Sequence, residues 1–136
     1  MNFETKAIHA GAVPDRSTGA AALPLYESAA FAYPTAKMLE SVFAGKEFGY
    51  VYSRIANPTV TAFEQKMTAL ENGLGSLAVS SGMAAIATTI FVLAGPGDEI
   101  VASKSLFGGT LSLLNGLVKR QGIRTEYVDS TNIAAY

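Results

Sequence analysis

The turn Ser80-Ser81-Gly82-Met83 carries residue types that bind a phosphate group. It follows an apolar segment and precedes helix-forming residues, so its backbone N–H groups should open a helix, where they lack intrahelical partners. These donors and the helix dipole attract an anion, and a glycine lets the anion approach the backbone. Gly82 and Met83 are therefore candidate phosphate-binding residues. An ordinary strand-to-helix turn with a serine cap is the alternative, and it is the commoner one for such a turn alone.

A second candidate is the segment in which Tyr50, Tyr52 and Arg54 alternate with other residues. An extended backbone would place all three side chains on one side. Arginine offers a bidentate charged contact to phosphate, and tyrosine adds a neutral donor. The alternative is an edge strand with an aromatic and basic outer face, which is commoner for such a segment taken alone.

Phe107, followed by Gly108 and Gly109, is a third candidate. It comes after a predicted strand, at the end of the sheet where open α/β folds bind ligands. A flat aromatic ring with room beside it could stack on a flat cofactor ring. A buried phenylalanine at a helix entrance is the alternative.

The elements that must position these residues alternate after residue 58. The pattern predicts strands over 75–80, 99–103 and 124–128. Helices are predicted from Asn57-Pro58 to Asn72-Gly73, over 83–94, and within 106–120, the second of them buried because it is apolar on nearly all sides. Alternating strands and helices indicate an α/β fold with parallel strands. With only three strands, we expect the start of a fold and not all of it.

The first 58 residues show weaker order. No period of 2 or 3.6 persists over 9–25, which predicts an extended arm. One short helix is predicted after Pro34, with Thr35 as its cap and Gly45 closing it.

The composition and net charge of the chain argue against several classes of function. The chain has 136 residues, 49% hydrophobic and 15% charged, with a net charge of −1. That charge gives no basis for binding nucleic acid or an anionic membrane. Without cysteine and with His9 as the single histidine, no metal site is expected. The N-terminus lacks the features of a signal peptide and the longest apolar stretch is too short to span a bilayer, so a cytoplasmic protein is expected.

Taken together in this order and spacing, the motifs resemble the pyridoxal-phosphate (PLP) enzymes of cysteine and methionine metabolism. That family includes cystathionine γ-synthase, cystathionine lyases, methionine γ-lyase and O-acetylhomoserine sulfhydrylase. The resemblance covers nearly the whole chain. The segments that carry it are 5–11 (TKAIHAG), 24–31 (PLYESAAF), 52–59 (YSRIANPT), 80–85 (SSGMAA) and 106–110 (LFGGT).

The resemblance implies a role for each candidate. Gly82 and Met83 match the positions whose amides hold the cofactor phosphate. Tyr52 and Arg54 match a pair that reaches that phosphate from the neighbouring subunit. Phe107 matches the aromatic residue that stacks on the pyridine ring. Many members have tyrosine there, and because phenylalanine cannot transfer a proton, another group would have to take any acid–base role.

The fold implied is the N-terminal part of the large domain of a PLP-dependent, aspartate-aminotransferase-like (fold type I) enzyme. Residues 1–58 would form an arm that contributes to the neighbouring subunit's active site, and residues 59–136 would begin the PLP-binding domain. The resemblance also implies a homo-oligomer, a dimer of dimers.

Within the family, the segments 18–20, 24–34 and 48–54 look most like O-acetylhomoserine sulfhydrylases. The implied reaction is γ-replacement on O-acetylhomoserine with sulfide or a thiol, giving homocysteine or methionine. Methionine γ-lyase, cystathionine γ-synthase or lyase, and a non-catalytic truncated subunit or interaction module are the alternatives.

The resemblance also implies where the cofactor lysine lies. The family holds PLP on a lysine in a Ser-x-Thr-Lys setting, which is expected beyond Tyr136. The six lysines of this chain all lack that setting: Lys6, Lys37, Lys46, Lys66, Lys104, Lys119. We therefore expect no catalytic residue among these 136 residues.

Overall fold

The computed structural model describes residues 2–11, 13–15 and 17–135. The chain forms two compact units, residues 1–78 and residues 79–136. This division falls later than residue 58, where the sequence changes character, because the helix that starts at Pro58 packs within the first unit. The part that residues 1–58 play in a neighbouring subunit stays a prediction.

Tyr136, beyond which the cofactor lysine is expected, lies outside the described residues. The position of that lysine therefore also stays a prediction.

The first unit contains three helices in its described residues: α1 (Phe3–His9), α2 (Ala36–Phe43) and α3 (Pro58–Glu71). The side chains of Asn2, Thr35 and Asn57 cap them, each accepting a hydrogen bond from a first-turn N–H. Helix α3 ends at Asn72, which has a left-handed backbone with φ of 51°. The predicted caps and ends of α2 and α3 are confirmed, whereas α1 was not predicted.

Helix α1 packs against α3. Lys66 on α3 donates from Nζ to the Ile8 carbonyl at 3.0 Å. Gly11, just after α1, has φ of +69°, and a Cβ there would lie 2.7 Å from the Lys66 backbone nitrogen. Only glycine permits both this backbone conformation and this approach.

The second unit contains α4 (Gly82–Leu93), strand β1 (Glu99–Ser103), α5 (Gly108–Leu113) and strand β2 (Arg124–Val128). A π-helical segment, Leu114–Val118, continues α5, and a 3₁₀ turn spans Ile133–Ala135. The strands pair in parallel, with Glu99 opposite Arg124 and Ser103 opposite Val128. The predicted bounds of both strands are confirmed.

Two predictions for this region are wrong. Residues 75–80 do not form a strand, because none of the described residues pairs with them and a strand requires a hydrogen-bonded neighbour. Helix α4 is also not buried: it has no buried residue, and Val92 and Leu93 are 76% and 78% exposed. The helix is apolar on nearly all sides, but the described residues do not pack around it and leave it exposed.

A small core lies between the sheet and the segment that follows α5. The buried hydrophobic residues are Ala102, Leu114, Val118, Ile123 and Val128. Gly122, with φ of +79°, turns the chain from this segment into β2, as predicted. None of the helices in the described part of the chain has both the length and the apolar character that crossing a membrane requires.

Candidate cofactor-binding site

The N-terminus of α4 presents backbone donors that have no partner among the described residues. The Ser81 hydroxyl accepts from the Ala84 N–H at 3.1 Å, and the Ala85 N–H donates to the Ser81 carbonyl at 3.0 Å. These bonds begin the helix at Ser81 and leave the N–H groups of Gly82 and Met83 outside its hydrogen-bond ladder. The sequence predicted this arrangement, and it gives an anion two adjacent donors at the positive end of a 12-residue helix.

Phe107 lies at the start of α5, and 74% of the residue's surface is exposed. The alternative interpretation, an ordinary buried phenylalanine, is therefore wrong. The Phe107 carbonyl accepts from the N–H groups of Thr110 and Leu111, at 2.9 and 3.1 Å, which fixes the backbone of the residue while its ring stays accessible. An exposed aromatic ring with a fixed backbone is suited to stacking on a planar ligand.

Met83 and Phe107 meet at Gly109. A Cβ at Gly109 would lie 2.7 Å from the Phe107 ring and 3.2 Å from the Met83 sulfur, so both side chains lie against this glycine. The Met83 sulfur also lies 4.0 Å from the Thr110 hydroxyl. The second unit therefore brings the phosphate-binding turn and the candidate stacking ring together. The sequence did not predict this methionine contact, because it joins residues 26 and 27 positions apart in separate elements.

The residues present fit a ligand that has both a phosphate and a planar ring. Gly82 and Met83 offer donors, and Phe107 offers a flat apolar face beside them. The space at Gly82 is open, since a Cβ there would meet no atom within 4 Å.

Two charged residues lie at the same carboxyl end of the sheet. Lys104 follows β1, and its N–H donates to the Val128 carbonyl at 2.9 Å. Asp129 follows β2 and accepts from the Thr131 hydroxyl at 2.7 Å and from the Thr131 N–H at 2.9 Å. These bonds, the hydroxyl foremost, lower the pKa of Asp129, and the charge of Lys104 lowers it further. Asp129 was not predicted as a site residue from the sequence.

Tyr52 and Arg54 lie in the first unit. Tyr52 forms an isolated antiparallel bridge with Ala30, and the Ile55 N–H donates to the Tyr52 carbonyl at 2.8 Å. The backbone therefore turns at Ser53, so the expectation of an extended strand through Arg54 is wrong. The Arg54 guanidinium nevertheless lies 5.0 Å from the Tyr52 ring centroid, at cation–π distance.

Tyr50 has a different role from the one expected. Its ring centroid lies 5.7 Å from that of Phe31 and 5.5 Å from that of Phe48, in an aromatic cluster within the first unit. The structure thus pairs Tyr52 with Arg54, while Tyr50 packs with other aromatic rings.

Sequence comparison identifies relatives for the whole chain. Residues 4–136 match the family described as Cys/Met metabolism PLP-dependent enzyme. The chain is 44% identical over 136 residues to a sulfhydrylase of Fusarium oxysporum f. sp. lycopersici, covering 100% of this chain and 31% of the relative. Identity to the L-methionine gamma-lyase of Pseudomonas deceptionensis is 43% over 134 residues, 98% of this chain and 34% of the relative. Identity to the O-acetyl-L-homoserine sulfhydrylase of Corynebacterium glutamicum is 44% over 128 residues, 94% of this chain and 29% of the relative.

Solved structures agree in fold. The crystal structure of metB from Corynebacterium glutamicum superposes with a TM-score of 0.89 at 35% identity, over 99% of this chain and 33% of that one. The metY structure from Campylobacter jejuni, which carries N′-pyridoxyl-lysine-5′-monophosphate, gives a TM-score of 0.87 at 30% identity, over 98% of this chain and 33% of that one. The α/β fold is thus that of the N-terminal part of PLP-dependent enzymes, and the chain spans about a third of the length of these relatives.

Proposed function

We propose, since the chain belongs to the Cys/Met metabolism family of PLP-dependent enzymes, that Gly82, Met83 and Phe107 hold the phosphate and the ring of PLP. The observation that carries this proposal is the pair of free N–H groups at the start of α4, next to an exposed aromatic ring. The donors would bind the phosphate, and the ring would orient the pyridine by stacking.

We assign Tyr52 and Arg54 to the phosphate of a cofactor in a neighbouring subunit. Both side chains are exposed, and among the described residues no carboxylate forms an ion pair with Arg54. A planar guanidinium can bind two phosphate oxygens at once, and the tyrosine hydroxyl can donate to a third. The proposal requires a homo-oligomer, with a dimer of dimers as the expected assembly.

The proposed reaction is γ-replacement on O-acetylhomoserine with sulfide or a thiol, giving homocysteine or methionine. When bound, PLP supplies an electron sink for the substrate's amino-acid carbons. The residues of this chain bind and orient the cofactor, and the phenyl ring of Phe107 has no ionisable group that could transfer a proton. None of the lysines lies in the Ser-x-Thr-Lys setting, so the cofactor lysine is proposed to lie beyond Tyr136 in the enzyme that contains this chain.

Two relatives named as sulfhydrylases, each 44% identical to this chain, support the sulfhydrylase reaction. A γ-lyase acting on methionine is the second candidate, supported by a relative that is 43% identical. An enzyme that contains this chain would distinguish them. Homocysteine formed from O-acetylhomoserine and sulfide supports replacement, whereas 2-oxobutyrate and methanethiol formed from methionine support the lyase.

The cofactor site is tested with Gly82→Asp. The negative charge of an aspartate in the first turn of α4 interacts favourably with the helix dipole and stabilises the helix by about 0.3–1 kcal/mol. The same carboxylate repels a phosphate at the adjacent N–H groups. We therefore expect the free energy of unfolding to rise slightly while the affinity for pyridoxine 5′-phosphate falls by at least ~10-fold, which is ~1.4 kcal/mol of binding. Pyridoxine 5′-phosphate lacks the aldehyde, so calorimetric titration reports the non-covalent contacts alone.

Gly82→Asn is the matched control, since it has nearly the same shape and no charge. It should lose much less affinity than Gly82→Asp. Equal affinity in the wild type and Gly82→Asp would exclude the N-terminus of α4 as the phosphate site.

A further inference from the structure

Asn57 is the one buried residue among the described residues of the first unit, with 6% of its surface exposed. Its side chain makes three hydrogen bonds. The oxygen Oδ1 accepts from the Thr59 N–H at 2.8 Å, and the amide nitrogen Nδ2 donates to the Tyr26 carbonyl and to the Ser53 hydroxyl, both at 2.9 Å. Both ends of the amide are therefore used.

Capping α3 requires only the oxygen of this side chain. Serine, threonine or aspartate would also supply an acceptor at this position. The two bonds donated by Nδ2 reach away from the helix, to the segment around Tyr26 and to Ser53. Asparagine combines the acceptor and the donors in one short side chain, so the residue does more than begin a helix.

Ser53, which lies between Tyr52 and Arg54, is held from several directions. Its hydroxyl accepts from Asn57 and donates to the Ser28 carbonyl, and its N–H donates to the Ala29 carbonyl at 2.9 Å. The Ala56 N–H closes the turn on the Tyr52 carbonyl at 3.1 Å. The backbone that carries both candidate phosphate ligands is thus tied to Asn57 through its central residue.

We propose that Asn57 is a positioning residue, which holds the Tyr52–Arg54 turn so that the guanidinium stays over the Tyr52 ring and is aimed at a phosphate. The inference rests on the proposed function of Tyr52 and Arg54. A long arginine side chain loses rotamer freedom when it binds, and a fixed backbone with a stacked guanidinium reduces that loss. Asn57 itself does not touch the phosphate.

The test is Asn57→Asp in the apo form of the enzyme that contains this chain, assembled as the homo-oligomer in which Arg54 can meet a neighbouring subunit's phosphate. Aspartate has nearly the same shape and keeps the acceptor for the Thr59 N–H, so the cap of α3 survives. It replaces the Nδ2 donor with an oxygen, which cannot donate to Tyr26 or Ser53. We expect the affinity for pyridoxine 5′-phosphate to fall by about 10-fold, because an Arg54 side chain that is no longer held in place loses more rotamer freedom on binding.

A second readout separates positioning from stability. A guanidinium stacked over an aromatic ring has side-chain protons shifted upfield in the NMR spectrum. Asn57→Asp should reduce this shift for Arg54. The control is Thr35→Ala, which removes the cap of α2, whose hydroxyl accepts from the Met38 N–H at 3.3 Å. It should lower stability, yet keep the Arg54 shift and the affinity.

The outcomes distinguish the two proposals. If Arg54→Ala weakens binding and Asn57→Asp leaves both the affinity and the Arg54 shift unchanged, the positioning role is wrong and the assignment of Arg54 stands. If Arg54→Ala binds as the wild type does, the assignment of Arg54 fails and the positioning role fails with it. Should Asn57→Asp not fold, Ser53→Ala removes one acceptor of the same amide and carries the same expectations.

Discussion

The sulfur of Met83 lies 4.0 Å from the Thr110 hydroxyl, so the first turns of α4 and α5 are in contact. Thr110 is buried, whereas Phe107, three residues earlier, is largely exposed. The contact places the free donors of α4 beside an accessible aromatic ring. A planar phosphorylated ligand would use both, so the spacing of these two turns matters for binding.

Gly109→Ala tests that spacing. The new Cβ would lie 2.7 Å from the Phe107 ring and 3.2 Å from the Met83 sulfur, and the ring, as the end of a flexible side chain, would move. Alanine is favoured over glycine inside a helix by about 1 kcal/mol, so the fold should tolerate the change. We expect little change in the free energy of unfolding and a severalfold lower affinity for pyridoxine 5′-phosphate, both measured on the purified chain.

Gly116→Ala is the matched control for this change. It lies in the π-helical segment, where an added Cβ would meet no atom within 4 Å. It should raise stability by roughly 0.5–1 kcal/mol and leave the affinity unchanged. Wild-type affinity in Gly109→Ala would show that the position of the Phe107 ring does not limit binding.

The elements that the sequence predicted correctly carry local signals. Asn57-Pro58 begins α3, Thr35 begins α2, and Gly122 precedes β2, each through side-chain or backbone preferences that act within a few residues. The strand expected over 75–80 failed because pairing depends on a neighbour that local sequence does not specify. The turn at Ser53 was missed for a similar reason, since its tie to Asn57 and to the segment around Ser28 is made in three dimensions.

In the candidate site too, features set by local sequence could be predicted, whereas features set by packing could not. Gly82 and Met83 could be predicted because a serine cap and a glycine mark the start of a helix. The exposure of Phe107 and its approach to Met83 depend on how α4 and α5 pack, which no short motif records. The resemblance to a family predicts that these residues act together, and the structure shows that the Phe107 and Met83 side chains both lie against Gly109.

The hydrogen bond between Asp15 and Tyr26 predicts a pH dependence. Asp15 accepts from the Ser17 hydroxyl at 2.6 Å, from the Ser17 and Thr18 N–H groups, and from the Tyr26 hydroxyl at 3.1 Å. These bonds, that of the Ser17 hydroxyl foremost, lower the pKa of Asp15. The bond to Asp15 raises the pKa of Tyr26 above the ordinary value of a tyrosine.

The pKa shifts of Asp15 and Tyr26 limit the pH range of stability from the acid and the alkaline side, respectively. A lowered carboxyl pKa stabilises the fold above the ordinary value of about 3.9, and that stability is lost as pH falls through the lowered pKa. A raised phenol pKa stabilises the fold below about 10, and that stability is lost as pH rises through the raised pKa. NMR titration of the Ser17 and Thr18 amides should show both transitions. Asp15→Asn should remove the acid transition, and Tyr26→Phe should remove only the alkaline one; an acid transition that survives in Asp15→Asn would contradict the assignment.

Stability of the second unit should depend on few side chains, because its core is small. Val118 is completely buried among Ala102, Leu114 and Ile123, whereas its neighbour Leu117 is 41% exposed. Val118→Ala removes two buried methyl groups and leaves a cavity, so it should lower the free energy of unfolding by about 2 kcal/mol. Leu117→Ala removes more atoms from the same segment and should cost less, because its side chain already contacts water. Urea denaturation of both variants measures the two losses in the free energy of unfolding. An equal or larger loss in Leu117→Ala would contradict the prediction and would mean that the Leu117 side chain is buried in solution.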